Sequence, residues 1–216
     1  MTSITKVDCF MDISEFDNEW FDVIQNGKGH ARFVSKFLRK EFATTAKMLD
    51  RKWASWTPDE KLRFAGAFSV KVELSDSDQN ILDFLMDNGD ERVWRTIALL
   101  VVRHRDRKRA LKFLRTRVAE GTKPLANYYQ ALELLKAWEC ISIMQRALTK
   151  HHREIDSQPS IDRMIYLDYL ACSAALYTIT GQEEYRANLE KMLKHPDDGI
   201  RRTTRMVAGA SRIAIE

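Results

Sequence analysis

The chain has 216 residues and a mass of 25.2 kDa, which suffices for one domain or at most two small ones. Eight glycines and four prolines are too few for a turn-rich β-sandwich or barrel, or for a disordered chain. The composition of 44% hydrophobic and 31% charged residues is ordinary for a globular protein. The net charge of +4 is mildly basic and by itself indicates little about partners.

Three features bear on the cellular compartment. The cysteines Cys9, Cys140 and Cys172 are odd in number and lack the spacing of metal ligands, which predicts free thiols in a reducing compartment. The first twelve residues carry acids where a secretory signal needs a basic start and an apolar stretch. The longest apolar run, 97–102, is far too short to cross a membrane. We therefore expect a cytoplasmic protein that does not bind membranes.

Apolar residues recur with a helical period along most of the chain, and no segment of useful length alternates with period two. The segment 68–72 is the one stretch that also fits a short strand. The pattern predicts eleven helices, near residues 14–25, 30–54, 58–73, 77–88, 90–103, 106–120, 124–137, 138–151, 160–180, 182–194 and 197–214.

Proline and glycine fall at the ends of these predicted helices. Thr57-Pro58-Asp59-Glu60 fits a capping box, with Thr57 as the N-cap and Glu60 at the third helical position. The other prolines precede predicted helices in the same way: Pro124, Pro159 and Pro196. Three glycines follow apolar runs, where a left-handed residue commonly ends a helix: Gly89, Gly121 and Gly181.

Two segments of the chain are similar to each other. LMDNGDERVWRT (85–96) and MLKHPDDGIRRT (192–203) both combine an apolar helix end, a short turn, an acidic N-cap region, and then an aliphatic residue and an arginine. They lie 107 residues apart, close to three units of about 36 residues. Predicted helix starts near 90, 124, 160 and 197 give spacings of 34, 36 and 37 residues. The chain is therefore predicted to repeat a unit of two helices.

This pattern resembles the HEAT-like repeat family, including its phycobilin-lyase type, whose unit ends in Leu-Leu-x-Asp-x-Asp-x-x-Val-Arg. The segment MLKHPDDGIRRTTRMVAGA is the best match, and LMDNGDERVWRTIALLV is the second. The units that start near 124 and 160 depart from the pattern, because they lack its Asp…Val-Arg part.

The resemblance covers residues 77–216 and implies an all-α fold. That fold is a right-handed α-solenoid of HEAT-like helical pairs, an alpha-alpha superhelix in which stacked neighbours complete the core. Residues 1–76 then form a helical N-terminal cap that continues into the solenoid as a single domain. The family's arrangement also implies a concave surface lined by the second helix of each pair, here 106–120, 138–151 and 182–194.

The strongest charge feature is a basic stripe on the helix predicted at 106–120. Its residues recur at helical spacing beside an apolar stripe: Arg105, Lys108, Lys112 and Arg115. Arg146 and Lys150, on the helix predicted at 138–151, extend the stripe if the repeats stack. One explanation is a solvated face whose long side chains cover apolar neighbours. The other is a surface that binds phosphate or carboxylate groups of a partner, with salt-dependent affinity.

Histidines and acidic clusters have simpler explanations. The acids crowd residues 8–22 and 73–91, where several are N-caps or first-turn residues favoured by the helix dipole. His151 and His152 are adjacent, and adjacent helical residues point about 100° apart, so they are a poor metal site. His104 has no Ser or Cys partner with a catalytic motif. We expect no metal, cofactor or catalytic residue.

The N-terminal part of the chain is rich in tryptophan. Trp20, Trp53 and Trp56 fit core packing, and the alternative is an exposed binding anchor. HEAT-like DNA glycosylases combine aromatics with a carboxylate in a basic groove, and Asp106 and Glu139 fall near the basic stripe.

The predicted function is a non-enzymatic protein–protein interaction or scaffold module that binds another protein on its concave face. Bacterial regulators, adaptors and toxin-neutralising immunity proteins fit this description. The alternative is a nucleic-acid-binding protein with a basic concave groove, a HEAT-like DNA glycosylase included. The resemblance alone suggests a third function, a bilin-lyase-like chromophore carrier.

Overall fold

The computed structural model describes residues 45–157 and 162–215, and within these ranges the chain is all helical, without a β-strand. This confirms the predicted all-α class. The predicted helix at 14–25, most of the one at 30–54, Trp20, Cys9 and Pro159 lie outside the described residues. The helices are Thr45–Lys52 (α1), Pro58–Ser69 (α2), Asp76–Asn88 (α3), Glu91–Val101 (α4), Arg107–Glu120 (α5), Ala126–Leu134 (α6), Ile141–Ser157 (α7), Arg163–Thr180 (α8), Glu183–Leu193 (α9) and Asp198–Ala210 (α10).

Two short 3₁₀ turns, Trp53–Ser55 and Trp138–Cys140, precede α2 and α7. The chain divides into two compact units, and the division falls inside α4, between Ile97 and Ala98. Among the described helices, none combines the length and hydrophobicity that a membrane crossing requires.

The first unit packs around an aromatic cluster. Trp53 is buried, and its ring meets Phe84 edge-on at 5.6 Å and Phe64 at 6.4 Å between ring centroids. The indole Nε1 of Trp53 donates to the carbonyl of Asn88 at 2.9 Å. Trp56 lies against both Trp53 and Phe64. Trp53 and Trp56 therefore pack within the unit, as core tryptophans do.

The segment 68–72 is not a strand. Phe68 and Ser69 complete α2, Val70 follows as its C-cap, and the chain then turns toward α3. Lys71 is buried and donates from Nζ to Oδ1 of Asp78 at 2.5 Å. A buried cation needs such a partner, and this ion pair fixes the turn where the apolar alternation suggested a strand.

Most of the predicted helix boundaries are confirmed. Thr57 and Glu60 form the predicted capping box, with Thr57 Oγ1 accepting from Glu60 N at 3.3 Å and Glu60 Oε2 accepting from Thr57 N at 2.6 Å. Gly121 and Gly181 both have φ of 70° and end α5 and α8 in the left-handed conformation.

The left-handed conformation predicted for Gly89 is wrong, because its φ is −70°. A Cβ atom at this position would lie 2.6 Å from the carbonyl oxygen of Leu85 and 2.8 Å from Nε1 of Trp94. Glycine is therefore needed here for close packing of α3 against the start of α4, and its freedom at positive φ plays no part.

The second unit is organised around α8, which packs against α6, α7, α9 and α10. Eleven of its side chains are buried, among them Tyr169, Leu170 and Leu176, so this helix is apolar on nearly all sides. The helix α5 packs against α6 and α7, and α9 packs against α10. The core of this unit therefore lies around α8.

The two similar segments of the sequence form similar turns. Oδ1 of Asp90 accepts from Val93 N at 3.0 Å at the start of α4. Oδ1 of Asp197 accepts from Ile200 N at 2.9 Å at the start of α10. Each aspartate satisfies the backbone N–H three residues later, which is the usual N-cap bond. The shared sequence pattern therefore corresponds to a shared local structure.

Candidate binding groove

The helix α5, which carries the predicted basic stripe, begins at a capped N-terminus. Oδ1 of Asp106 accepts from the backbone N of Lys108 at 2.9 Å and of Arg109 at 3.1 Å. These bonds, the one from Arg109 first, hold the pKa of the Asp106 carboxyl below its usual range. Arg105 therefore precedes the helix, and its predicted place within a helical stripe is corrected.

His104 supports the same helix start. It is buried, and its Nδ1 lies 3.0 Å from the backbone N of Asp106, which donates to it. The ring is thus used in the turn that leads into α5. Asp106, the carboxylate predicted near the basic surface, is likewise used as a helix cap.

A groove of about 640 Å³ runs along α5 beside the 3₁₀ turn that precedes α7. Lys108, Lys112 and Arg115 are exposed on its α5 side, so the structure brings these three predicted residues together. Leu111 and Ala119 contribute apolar surface to the same lining. The groove thus combines apolar walls with a row of cations.

The groove continues between α5 and α7. A second hollow of about 310 Å³ shares Ala119 with the first and is lined by Arg146 and Lys150 of α7. Its walls include Val118 and Ile143. The two hollows together are called the basic groove, whose cations are Lys108, Lys112, Arg115, Arg146 and Lys150. Arg105 does not line it.

The acids of the groove are paired with cations that do not line it. Glu120 lies 3.0 Å from Arg117 NH1, and Glu139 lies 3.5 Å from Arg107 NH1. By contrast, the five groove cations form no ion pair with the residues that the structure describes. The basic groove consequently carries uncompensated positive charge over apolar walls.

A buried polar network lies under the α7 end of the groove. His151 lines the second hollow, and its Nε2 lies 2.8 Å from the hydroxyl of Tyr129. Its Nδ1 lies 3.5 Å from Oε2 of Glu154, which is also paired with Lys123. Burial lowers the pKa of His151 and raises that of Tyr129. Both ring nitrogens of His151 are therefore occupied by protein groups.

The two adjacent histidines face different environments. His152 is exposed, and its Nδ1 lies 3.1 Å from Asp156. The positions of Met144 and Leu148 indicate which of the two rings is buried, because His151 follows them at helical spacing on the buried face of α7.

One exposed aromatic side chain stands beside the groove and was missed in the sequence. Trp138 is 60% exposed. Trp138 belongs to the 3₁₀ turn whose next two residues line the groove. Arg107 NH2 donates to the carbonyl of Leu135 at 3.0 Å and so ties this loop to the start of α5. Nothing in the local pattern marks Trp138 as exposed, since tryptophan is usually well buried.

Among the described residues, no group of three or more His, Cys, Asp or Glu side chains is placed to hold a metal ion. Comparison of the chain with family models, with curated proteins and with solved structures finds no match.

Proposed function

We propose that this protein is a non-enzymatic binding module whose basic groove takes an acidic segment of a partner protein. The observation that carries the proposal is the charge balance of the groove: its two acids are paired, and its five cations form no ion pair with the described part of the chain. Carboxylates of a partner would pair with these cations through charge-assisted hydrogen bonds.

The apolar part of the groove favours a protein partner. Leu111 and Ile143 offer surface that a phosphate backbone does not use, whereas an amphipathic segment buries apolar side chains there. Trp138 adds exposed apolar surface beside it. Exposed tryptophan next to a charged rim is typical of the residues that dominate binding energy at protein interfaces.

Nucleic acid is the second candidate, and one observation favours it. Trp138 offers a stacking surface for an unpaired base beside unpaired cations, and Glu139 supplies a carboxylate in the groove. Against this, Glu139 is exposed and paired with Arg107, so it lacks the enclosed site that chemistry on an extruded base requires.

The architecture that we propose for this function is a short right-handed α-solenoid of HEAT-like pairs. Within the second unit, α6 packs on α8, α8 packs on α10, and α5 packs on α7, which is the pattern of stacked two-helix repeats. The first helices begin at nearly even spacing, at Glu91, Ala126, Arg163 and Asp198. In this arrangement α5, α7 and α9 line the concave face.

We also propose a cytoplasmic location. Cys140 and Cys172 are free and buried, as expected in a reducing compartment.

The test is site-specific photo-crosslinking in the cell of origin. A benzoylphenylalanine replaces Thr116, an exposed residue of the groove wall, and in the control it replaces Met164, an exposed residue of α8 outside the groove. We expect a discrete protein adduct from position 116 that is missing from position 164. Adducts that contain nucleic acid would replace this proposal by the second candidate, and equal adducts from both positions would contradict both.

A further inference from the structure

A second concavity lies in the same unit, between α6, α8 and the C-terminal end of α10. Its volume is about 270 Å³, close to the lower end of the range of about 300–1,000 Å³ for ligand pockets. Its walls are mostly apolar, with Leu167 and Ala171 from α8 and Met206 and Val207 from α10. Met206 is 61% exposed at the rim, and a flexible methionine adapts readily to a bound apolar group.

The polar group that stands out in this pocket is Glu133, at the end of α6. Its side chain lines the pocket although the residue is only 8% exposed. Oε2 accepts from the hydroxyl of Ser211 at 2.8 Å. Glu133 forms no ion pair within the described chain. The nearby cation Lys136 is directed to the carbonyl of Thr178, at 3.4 Å.

The second oxygen of Glu133 remains available. Oε1 accepts no hydrogen bond from the described residues, yet it is not among the buried polar atoms that are sealed from solvent without a partner. Glu133 lines the pocket, so a group bound there lies within reach of this carboxylate. A carboxylate that is nine-tenths buried and lacks a cation is costly, and a cation bound beside it would offset that cost.

We infer that this pocket binds a small organic ammonium ion, an alkyl or aralkyl amine in its charged form. The ammonium group donates to Oε1 of Glu133, and the hydrocarbon part lies against Leu167, Ala171 and Met206. A divalent metal fits the pocket poorly, because Glu133 has no second acidic or histidine ligand beside it among the described residues. The inference does not depend on the function proposed for the basic groove.

The experiment uses the full chain labelled with ¹³C at the methionine methyl groups, with the Met206 signal assigned from a Met206→Leu variant. The probe is hexylammonium, and the neutral control is hexanol. We expect saturable shifts of the Met206 methyl with hexylammonium, and binding of hexanol at least about tenfold weaker, because a charge-assisted hydrogen bond is lost. The absence of saturable shifts, or equal binding of hexanol, would overturn the inference.

Two variants separate the charge of Glu133 from the net charge of the chain. Glu133→Gln removes the charge and is expected to weaken hexylammonium binding about tenfold or more. Glu184→Gln removes the charge of an exposed glutamate of α9 outside the pocket, so its affinity stays within about threefold of the parent's. Ala210→Leu, on an exposed residue of the lining, narrows the pocket without touching the charge and also lowers affinity. Unchanged affinity in Glu133→Gln would contradict the inference, and circular dichroism checks that each variant is folded.

Discussion

The basic groove and the Glu133 pocket lie in one helical unit but have opposite charge. The groove is open and lined by exposed cations, and its acids Glu120 and Glu139 are paired with arginines that point in from outside the lining. The pocket is narrow and mostly apolar, and among residues 45–157 and 162–215 its buried carboxylate has the Ser211 hydroxyl as its hydrogen-bond partner. The sign of the charge that each site presents to a ligand thus depends mainly on which charged side chains are already paired within the fold. The number of charged residues nearby matters less.

The difference also determines how salt should act. Exposed cations in the groove are screened by ions, so binding there weakens steeply as salt rises. A carboxylate that is nine-tenths buried is screened much less. A substitution at a residue that supports both sites should therefore affect both of them, whereas a substitution within one site should affect binding at that site alone.

The largest effect is expected at Asp168, which supports both sites. Its Oδ1 accepts from Leu125 N at 2.7 Å and from Ala126 N at 2.9 Å at the start of α6. Leu125 lines the groove and Ala126 lines the pocket. Asp168→Ala leaves two backbone donors without a partner, so we expect the free energy of unfolding to fall by about 3 kcal/mol. Urea denaturation measures it, and a loss below about 1 kcal/mol would contradict this role.

The matched variant is Asp168→Asn, which keeps an acceptor oxygen for both donors but cannot ionise. Burial raises the pKa of Asp168 to about 6, although the bonds from Leu125 and Ala126 oppose the shift. Because the folded-state pKa is raised, the stabilising contribution of this group is complete below about pH 4. It is lost as the pH rises through about 6, by at most about 3 kcal/mol. Urea denaturation curves between about pH 4 and 6 measure this loss of stability, and Asp168→Asn should not show it.

The next effect concerns the groove alone. A variant with glutamine in place of all five groove cations should bind a fluorescent peptide of Glu and Leu about 60-fold more weakly, from roughly 0.5 kcal/mol for each exposed contact. The replaced residues are Lys108, Lys112, Arg115, Arg146 and Lys150. The slope of affinity against salt should flatten. Fluorescence anisotropy over a salt series measures both quantities.

A control variant replaces five exposed cations outside the groove, Arg51, Lys191, Lys194, Arg205 and Arg212, and lowers the net charge equally. It should retain peptide binding, because the effect belongs to the groove and not to the net charge. Hexylammonium binding should be unchanged in the groove variant. Equal losses in both variants would show that the groove contributes only bulk charge.

A smaller effect is expected for the exposed tryptophan. Trp138→Ala should weaken binding of the same peptide by about tenfold, since aromatic anchors at interface centres are worth about 2 kcal/mol or less when half exposed. Met164→Ala is the control, because Met164 is exposed and apolar but lies outside both sites. If Trp138→Ala weakens binding of a labelled single-stranded oligonucleotide and not of the peptide, nucleic acid becomes the better candidate.

Much of this could be read in the sequence, and the rest depends on contacts far along the chain. Periodicity and capping residues predict the helices, and the spacing of Lys108, Lys112 and Arg115 correctly places them together. The roles of Asp168 and Glu133 could not be predicted, because Asp168 bonds to a residue 43 positions away and Glu133 to one 78 positions away. The role of Gly89 could not be predicted either, since close packing and a positive φ both require glycine.

The smallest expected effect compares two helix ends. Gly121 lines the groove and Gly181 does not, yet both have φ of 70°. Alanine at either position should cost about 1 kcal/mol of stability, because an L side chain is strained in this region. Only Gly121→Ala should also alter peptide affinity, by less than about threefold, since its Cβ would lie 3.5 Å from Lys150 Nζ. Thermal melts and the anisotropy assay together test the pair.

The bond pair at Asp168 has a consequence for the entropy of binding. Leu125 and Ala126 are consecutive residues, and one carboxylate oxygen immobilises both of their peptide groups before any ligand arrives. A wall that is already ordered in the free protein costs a ligand no loss of backbone freedom, and fixing one residue's backbone costs about 1–2 kcal/mol. Both sites therefore present a preorganised wall, and the backbone entropy of that wall is lost when the protein folds, before any ligand binds.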